Sequence, residues 1–135
     1  IFAGTGAIGI EALSRGASKV YFIEKSFKMA AIIRRNIELC GFHERAHVLT
    51  VDFFEFDRWV SKIDCPDTIF LDPPFSIHPV EVMEKMYNLV QMLKNKLIII
   101  RFSKKEEPLF ICPLYRVVIR RVYGENILLF GYLEE

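Results

Sequence analysis

The sequence predicts an α/β fold: a mostly parallel sheet with helices on both faces, ending in an antiparallel hairpin. Three observations predict it. Short apolar runs alternate with segments of helical period. A glycine-rich turn, Gly4-Thr5-Gly6-Ala7-Ile8-Gly9, leads from an apolar end into a helical segment. The last two strand-like segments are separated only by Gly124-Glu125-Asn126, a hairpin connection.

Each element has a local reason. Ile1-Phe2-Ala3 reads as the last part of a strand whose beginning lies outside the sequence, which implies a chain without its amino-terminal segment. Residues 6–15 are expected to form a helix ended by Gly16. Val20 to Ile23 is a second strand, closed by Glu24. Ser26 is the expected N-cap of a helix over 26–40, with Met29, Ile32, Ile33, Ile37 and Cys40 as its apolar face and Gly41 as its stop. His47 to Val51 is a third strand, followed by Asp52 and a short helix over 53–61. Thr68 to Leu71 is a fourth strand, continuously apolar as a doubly covered parallel strand is. A loop, Asp72-Pro73-Pro74-Phe75, precedes a helix over 79–93, where Pro79 suits the first turn. Lys96 to Phe102 is a fifth strand, and 103–113 a charged, proline-punctuated connection. Tyr115–Tyr123 and Ile127–Leu133 form the hairpin.

Composition narrows the function classes. A chain of 135 residues is expected to be a single domain over 1–135. A net charge of +1 does not mark the chain as an electrostatic binder of nucleic acid. Cys40, Cys65 and Cys112 lack zinc-ligand spacing, and His43, His47 and His78 form no cluster, so no metal is expected; reduced thiols point to the cytoplasm. No apolar run approaches the roughly 20 residues of a membrane span.

Four places carry chemistry. Gly4 and Gly6 allow a tight turn and close approach of a ligand to the backbone, and Gly9 allows the helix to pack closely. Nicotinamide, flavin and methyl-donor enzymes all use such a loop. Glu24, at a strand end, suits the two hydroxyls of an adenosine ribose; an ion pair with Lys25 or Lys28 is the alternative. Asp52 suits an adenine amino group, with Phe53 lining the ring, or equally an N-cap. Asp72-Pro73-Pro74-Phe75 lies at the carboxyl end of the fourth strand, where open parallel sheets bind ligands. The two prolines fix the backbone, so Asp72 and the Pro73 carbonyl can accept both N–H bonds of a planar exocyclic amine. Its lone pair is thereby turned toward an electrophile, while Phe75 stacks on the base, a contact worth about 1–3 kcal/mol. A rigid turn without ligand is the alternative. Arg116 and Arg120 share one face by strand alternation, for phosphates or for guarding a sheet edge. Ser103-Lys104-Lys105 suits either RNA or solvent.

The run from Phe2-Ala3-Gly4-Thr5-Gly6-Ala7-Ile8-Gly9 through Ala17 resembles the cofactor loop of the RsmD-type small-subunit ribosomal RNA guanine-N2 methyltransferases. The resemblance continues through Phe22-Ile23-Glu24-Lys25, Asn36, Asp72-Pro73-Pro74-Phe75 and Tyr123-Gly124-Glu125-Asn126. It implies a Rossmann-like class I methyltransferase fold of seven strands, the last antiparallel and beside the fifth. It implies S-adenosylmethionine as cofactor and, as partner, 16S ribosomal RNA or a small-subunit assembly intermediate. The expected cofactor-binding residues are Phe2, Gly4, Thr5, Gly6, Glu24, Lys25, Asp52 and Phe53. Those expected at the reacting amine are Asp72, Pro73 and Phe75. A monomer is expected. The family's acidic residue and basic stretch before Phe-Ala-Gly are not in this sequence. A DNA adenine-N6 methyltransferase shares the Asp-Pro-Pro-aromatic loop. A nicotinamide-dependent oxidoreductase fits the glycine loop and Glu24 but leaves the proline loop and hairpin unexplained.

Overall fold

The computed structural model describes residues 1–110 and 112–134, and of Val90 and Gln91 the backbone alone. Two units are formed, Ile1–Asp64 and Cys65–Glu135.

The first unit is a βαβ arrangement preceded by a helix. It contains α1 (Ala7–Ser14), β1 (Val20–Glu24), α2 (Phe27–Leu39) and β2 (Ala46–Thr50). β1 and β2 run parallel, Val20 beside Ala46 through Glu24 beside Thr50. α2 has the expected cap: the Ser26 Oγ accepts the Met29 amide at 3.2 Å, an arrangement worth about 1 kcal/mol. At its other end Gly41, at φ 73°, donates to Glu38 and Phe42 donates to Ile37. These two bonds close the helix as a Schellman turn, which a left-handed glycine allows. The buried stripe is Ala30, Ile33 and Ile37, narrower than expected, and Cys40 is exposed. Leu13, Phe22, Ile33 and Ile37 form the core cluster, with Ala3, Val20, Ala46 and Val48 packed on it. Burial of each large side chain contributes roughly 1.5–3 kcal/mol. α1 lies directly on Phe22, since a Cβ at Gly9 would fall 2.3 Å from the ring.

Two expectations in this unit are corrected. Ile1–Ala3 is not a strand; the Ala3 amide donates to the Ile23 carbonyl at 3.2 Å, which runs it along β1. The expected helix over 53–61 is two 3-10 turns, Phe56–Arg58 and Val60–Lys62. The Asp52 carboxylate accepts the Phe54 amide at 2.9 Å, and the Trp59 indole N–H donates to the Phe53 carbonyl at 3.1 Å. In an α-helix that carbonyl would accept an amide four residues on. Side-chain bonding of this kind competes with the helical ladder.

The second unit contains β3 (Thr68–Leu71), α3 (Pro79–Tyr87), α4 (Val90–Leu93), β4 (Leu97–Ser103), a 3-10 turn (Lys104–Leu109), β5 (Tyr115–Tyr123) and β6 (Asn126–Leu133). Its sheet has the order β3-β4-β6-β5, with β3 and β4 parallel and β6 antiparallel to both neighbours. The last strand thus lies antiparallel beside β4, as the resemblance implies, and the α/β class and terminal hairpin are as expected. Of the seven strands implied, six are formed among the described residues. The expected helix over 79–93 is broken after Tyr87: Asn88 and Leu89 donate to Lys85 and Met86, three residues back, and close the turn. Ile111, within the expected connection 103–113, lies outside the described residues.

β4 and β6 alternate strictly. Ile98, Ile100 and Phe102 are buried on one strand, and Ile127, Leu129 and Leu133 on the other. The Tyr115 ring covers Gly131, where a Cβ would lie 2.8 Å from the ring and 2.3 Å from the Arg116 carbonyl oxygen. The Tyr115 hydroxyl lies 2.7 Å from the Ile98 carbonyl oxygen and 3.0 Å from that of Leu129. Burial pushes this phenol well above its ordinary pKa. No helix among the described residues is long and apolar enough to cross a membrane.

A register slip between Val117 and Ile119 corrects the expectation for Arg116 and Arg120. Arg116 stands opposite Tyr132 and Arg120 opposite Leu129. Those two β6 positions point to opposite faces, so the arginines do too; one extra residue inverts the alternation. Each is paired to a carboxylate, Arg116 to Glu134 and Arg120 to Glu107, the latter by two bonds, one at 2.8 Å.

Candidate cofactor and amine-binding sites

The glycine loop is shaped by its own backbone. Gly4 and Gly6 have φ values of 57° and 81°, a region glycine enters without strain. Phe2, at φ 56°, enters it with a side chain, which costs on the order of 1–3 kcal/mol and marks a constrained position. The Gly6 amide closes a tight turn on the Ala3 carbonyl at 2.8 Å, and the Gly6 carbonyl starts α1 by accepting from Ile10. A Cβ on Gly6 would meet Ile33 at 3.1 Å, whereas one on Gly4 would meet nothing within 4 Å. Gly4 therefore faces open space.

Glu24 ends β1 and anchors this loop. One carboxylate oxygen accepts the Gly4 amide at 3.0 Å and the other the Ser26 amide at 2.9 Å. This geometry answers the ion-pair alternative: both oxygens are held by backbone. A carboxylate has about four lone-pair positions, so capacity remains for two further donors. The Glu24 carbonyl accepts from Val51 at the end of β2, which brings Asp52 beside it. Asp52 is half-buried and forms an Asx turn over Phe54 rather than capping an α-helix. Phe53 is only 2% exposed, its ring packed against Phe2, Phe54 and Trp59 at centroid distances of 5.2, 5.1 and 6.2 Å.

The structure thus brings Phe2, Gly4, Gly6, Glu24, Asp52 and Phe53 to one end of the β1–β2 pair. Thr5 and Lys25 are exposed on the same loops. Thr5 is held by its carbonyl, which accepts from the Asn36 side chain on α2 at 3.0 Å.

In the second unit, Asp72-Pro73-Pro74-Phe75 leaves the carboxyl end of β3 with every peptide trans. The Pro74 carbonyl accepts from Ile77 at 3.0 Å, while among the described residues the Pro73 carbonyl has no hydrogen-bond partner. Phe75 is 86% exposed, so its ring is available for stacking rather than used in the core. His78 caps α3, its Nδ1 accepting the Val80 amide at 3.3 Å.

The residue that sequence reasoning missed is Arg101. Its Nε donates to Asp72 Oδ1 at 2.9 Å, and its Nη2 lies 2.6 Å from Oδ2. This is a two-point, charge-assisted pair of the kind only arginine forms. The signal was present: Arg101 is the one charged residue within Leu97-Ile98-Ile99-Ile100-Arg101-Phe102. Its partner followed only from the β3–β4 register.

A relative from Haemophilus influenzae, named ribosomal RNA small subunit methyltransferase D, is 33% identical over 110 residues, covering 80% of this chain. The chain spans 56% of that protein's length. A conserved hypothetical protein of Streptococcus pyogenes superposes with a TM-score of 0.77 at 25% identity, covering 98% of this chain and 82% of that one. TrmK of M. capricolum, solved with S-adenosylhomocysteine, superposes with a TM-score of 0.73 at 16% identity, covering 98% of this chain and 59% of that one. The latter similarity shows the Rossmann-like fold. The sequence model described as conserved hypothetical protein 95 matches residues 1–132, and the chain belongs to that family, the RsmD type its motifs resemble.

Proposed function

We propose that residues 1–135 act as one S-adenosylmethionine-dependent methyltransferase domain whose acceptor is the exocyclic N2 amine of a guanine in 16S ribosomal RNA. The observation that carries the reading is the Asp72-Pro73-Pro74-Phe75 loop at the end of β3, with a fixed carboxylate, a Pro73 carbonyl without a hydrogen-bond partner among the described residues, and an exposed aromatic ring. The name of the H. influenzae relative supports the RNA substrate, and the S-adenosylhomocysteine held by TrmK supports the cofactor. The partner is the RNA, free or in a small-subunit assembly intermediate. A cytoplasmic monomer belongs to the same proposal.

The residues present fit the donor. Gly4 faces open space, and Glu24 keeps acceptor capacity after binding Gly4 and Ser26. Phe2, Gly4, Thr5, Gly6, Glu24, Lys25, Asp52 and Phe53 would hold it, Glu24 at the ribose hydroxyls and Asp52 at the adenine amine. When bound, S-adenosylmethionine would supply a sulfonium methyl group, the amine lone pair forming the N–C bond as the C–S bond breaks with its electrons kept by sulfur as a neutral thioether. Asp72 and the Pro73 carbonyl accept the two N–H bonds of that amine. They favour a pyramidal nitrogen with its lone pair exposed. Phe75 stacks on the extruded base. The surplus proton passes to water, and orientation supplies most of the acceleration.

Two measurements test the reading. Calorimetry with S-adenosylhomocysteine and with NAD is expected to show binding of the first; binding of NAD alone would overturn the methyl-donor assignment in favour of an oxidoreductase. Mass spectrometry of 16S ribosomal RNA from a strain lacking the gene is expected to show the loss of one N2-methylguanine. Loss of an N6-methyladenine from DNA instead would transfer the reading to an adenine methyltransferase.

A further inference from the structure

We infer that Arg101 is a positioning residue for methyl transfer, holding the Asp72 carboxylate in a single orientation toward the amine. The inference rests on the reading of Asp72 as the amine acceptor.

The sheet itself creates the pair. Leu71 stands beside Ile100 in the parallel register of β3 and β4, so Asp72, the first residue past β3, comes beside Arg101, which is still within β4 and paired to Leu128 of β6. β4 lies between β3 and β6, and its alternation buries Ile98, Ile100 and Phe102 while Arg101 lies on the other face. The guanidinium meets both carboxylate oxygens, at 2.9 and 2.6 Å. A two-point contact removes rotation about the Cβ–Cγ bond, which one hydrogen bond does not. It leaves about half of the carboxylate's roughly four lone-pair positions for another donor. Asp72 is 29% exposed and Arg101 41%, so the remaining positions reach solvent.

A purely structural pair is the competing account. For stability alone, a partly buried ion pair at such a position is replaceable by apolar side chains at little cost. The two accounts differ in what they predict for the rate. If the pair positions the carboxylate, loosening it lowers turnover, because orientation supplies the acceleration and small misplacements are costly. If it only stabilises the sheet, melting temperature falls and turnover of the folded protein does not.

The experiment measures kcat and KM for methyl transfer to unmethylated 16S ribosomal RNA, with S-adenosylhomocysteine affinity and melting temperature recorded for every variant. Arg101→Met is expected to lower kcat at least about tenfold with cofactor affinity unchanged, and Arg101→Lys, which keeps the charge but not the fork, to fall between. Asp72→Ala is expected to abolish turnover, and the double variant Asp72→Ala/Arg101→Met to be no worse, since Arg101 acts only through Asp72. Should Arg101→Met not fold, Arg101→Lys and Arg101→Gln carry the comparison. Unchanged kcat in the folded Arg101 variants, with Asp72→Ala inactive, overturns the positioning role and leaves the function intact. Unchanged kcat in Asp72→Ala overturns the reading beneath it, and so does an unsubstituted chain that transfers no methyl group; the inference falls with either.

Discussion

Replacing Glu24 separates two roles that the structure gives one side chain. Its carboxylate accepts the Gly4 and Ser26 amides at 3.0 and 2.9 Å, and in the proposed function it also accepts ribose hydroxyls. Hydrogen bonds to a charged group are worth about 1.5–3 kcal/mol each. The site is half-buried, so in Glu24→Ala water recovers part of both bonds, and a loss of about 1–3 kcal/mol of stability is expected. The ribose contacts are a separate loss. Two of them, at the lower end of the same range, amount to about 3 kcal/mol, or roughly 140-fold in dissociation constant at about 1.4 kcal/mol per decade. Glu24→Gln keeps one acceptor oxygen but turns an NH2 toward an amide N–H, so it is expected to lie between Glu24→Ala and the parent in both measures. Thermal unfolding followed by circular dichroism reads the first quantity, and calorimetric titration with S-adenosylhomocysteine reads the second. A variant that melts earlier yet binds S-adenosylhomocysteine with the parent's affinity would refute the ribose role and leave only the loop anchor.

Gly131→Ala is expected to destabilise by about 2–3 kcal/mol, measured by urea unfolding, because the added carbon falls 2.3 Å from a backbone oxygen that cannot step aside. Unchanged stability would mean that β5 and Tyr115 do not cover β6 so closely. The Glu107–Arg120 pair should show in acid. Arg120 holds the Glu107 carboxyl below its ordinary value, so the pair stabilises fully above the ordinary glutamate pKa of about 4.3, and the effect is lost as pH falls through the lower, folded-state value. The melting-temperature gap between the parent and Glu107→Gln is therefore expected at neutral pH and to close in acid; a gap that persists at pH 2 contradicts it.

What the sequence disclosed, and what it withheld, follows from the range over which each signal acts. Ser26, Gly41 and the apolar stripe of α2 are local, and the helix formed between them. Thr68–Leu71 and the hairpin rest on short apolar runs bounded by turn residues, and both formed as read. Residues 53–61 carry helical spacing, but Trp59 and Phe53 are drawn into the unit's interior, and their side-chain and backbone bonds remove an α-helical acceptor. Val117-Val118-Ile119 is a uniform β-branched run, so nothing in it marks the extra residue that sends Arg116 and Arg120 to opposite faces. The outcome bears on function, because both arginines are matched to carboxylates and neither supports a phosphate contact as the pair would have on one face.

The same reasoning explains why the candidate site was legible in its parts and not in its control. Glu24 and Asp72 stand out as acids at strand ends, a property of the residue and its immediate neighbours. What fixes them is largely non-local: Ser26 holds one Glu24 oxygen from nearby, but the Gly4 amide that holds the other comes from the glycine loop before α1, and Arg101 lies on the strand next to Asp72. In both places a carboxylate is held through both oxygens and retains lone pairs for a further donor. Such a group is preorganised before substrate arrives, so less ordering remains to be done in the transition state. The physical content of the motif is therefore divided. Its residue types state what chemistry is available, and the neighbouring strand or turn, invisible to spacing, states how firmly that chemistry is aimed.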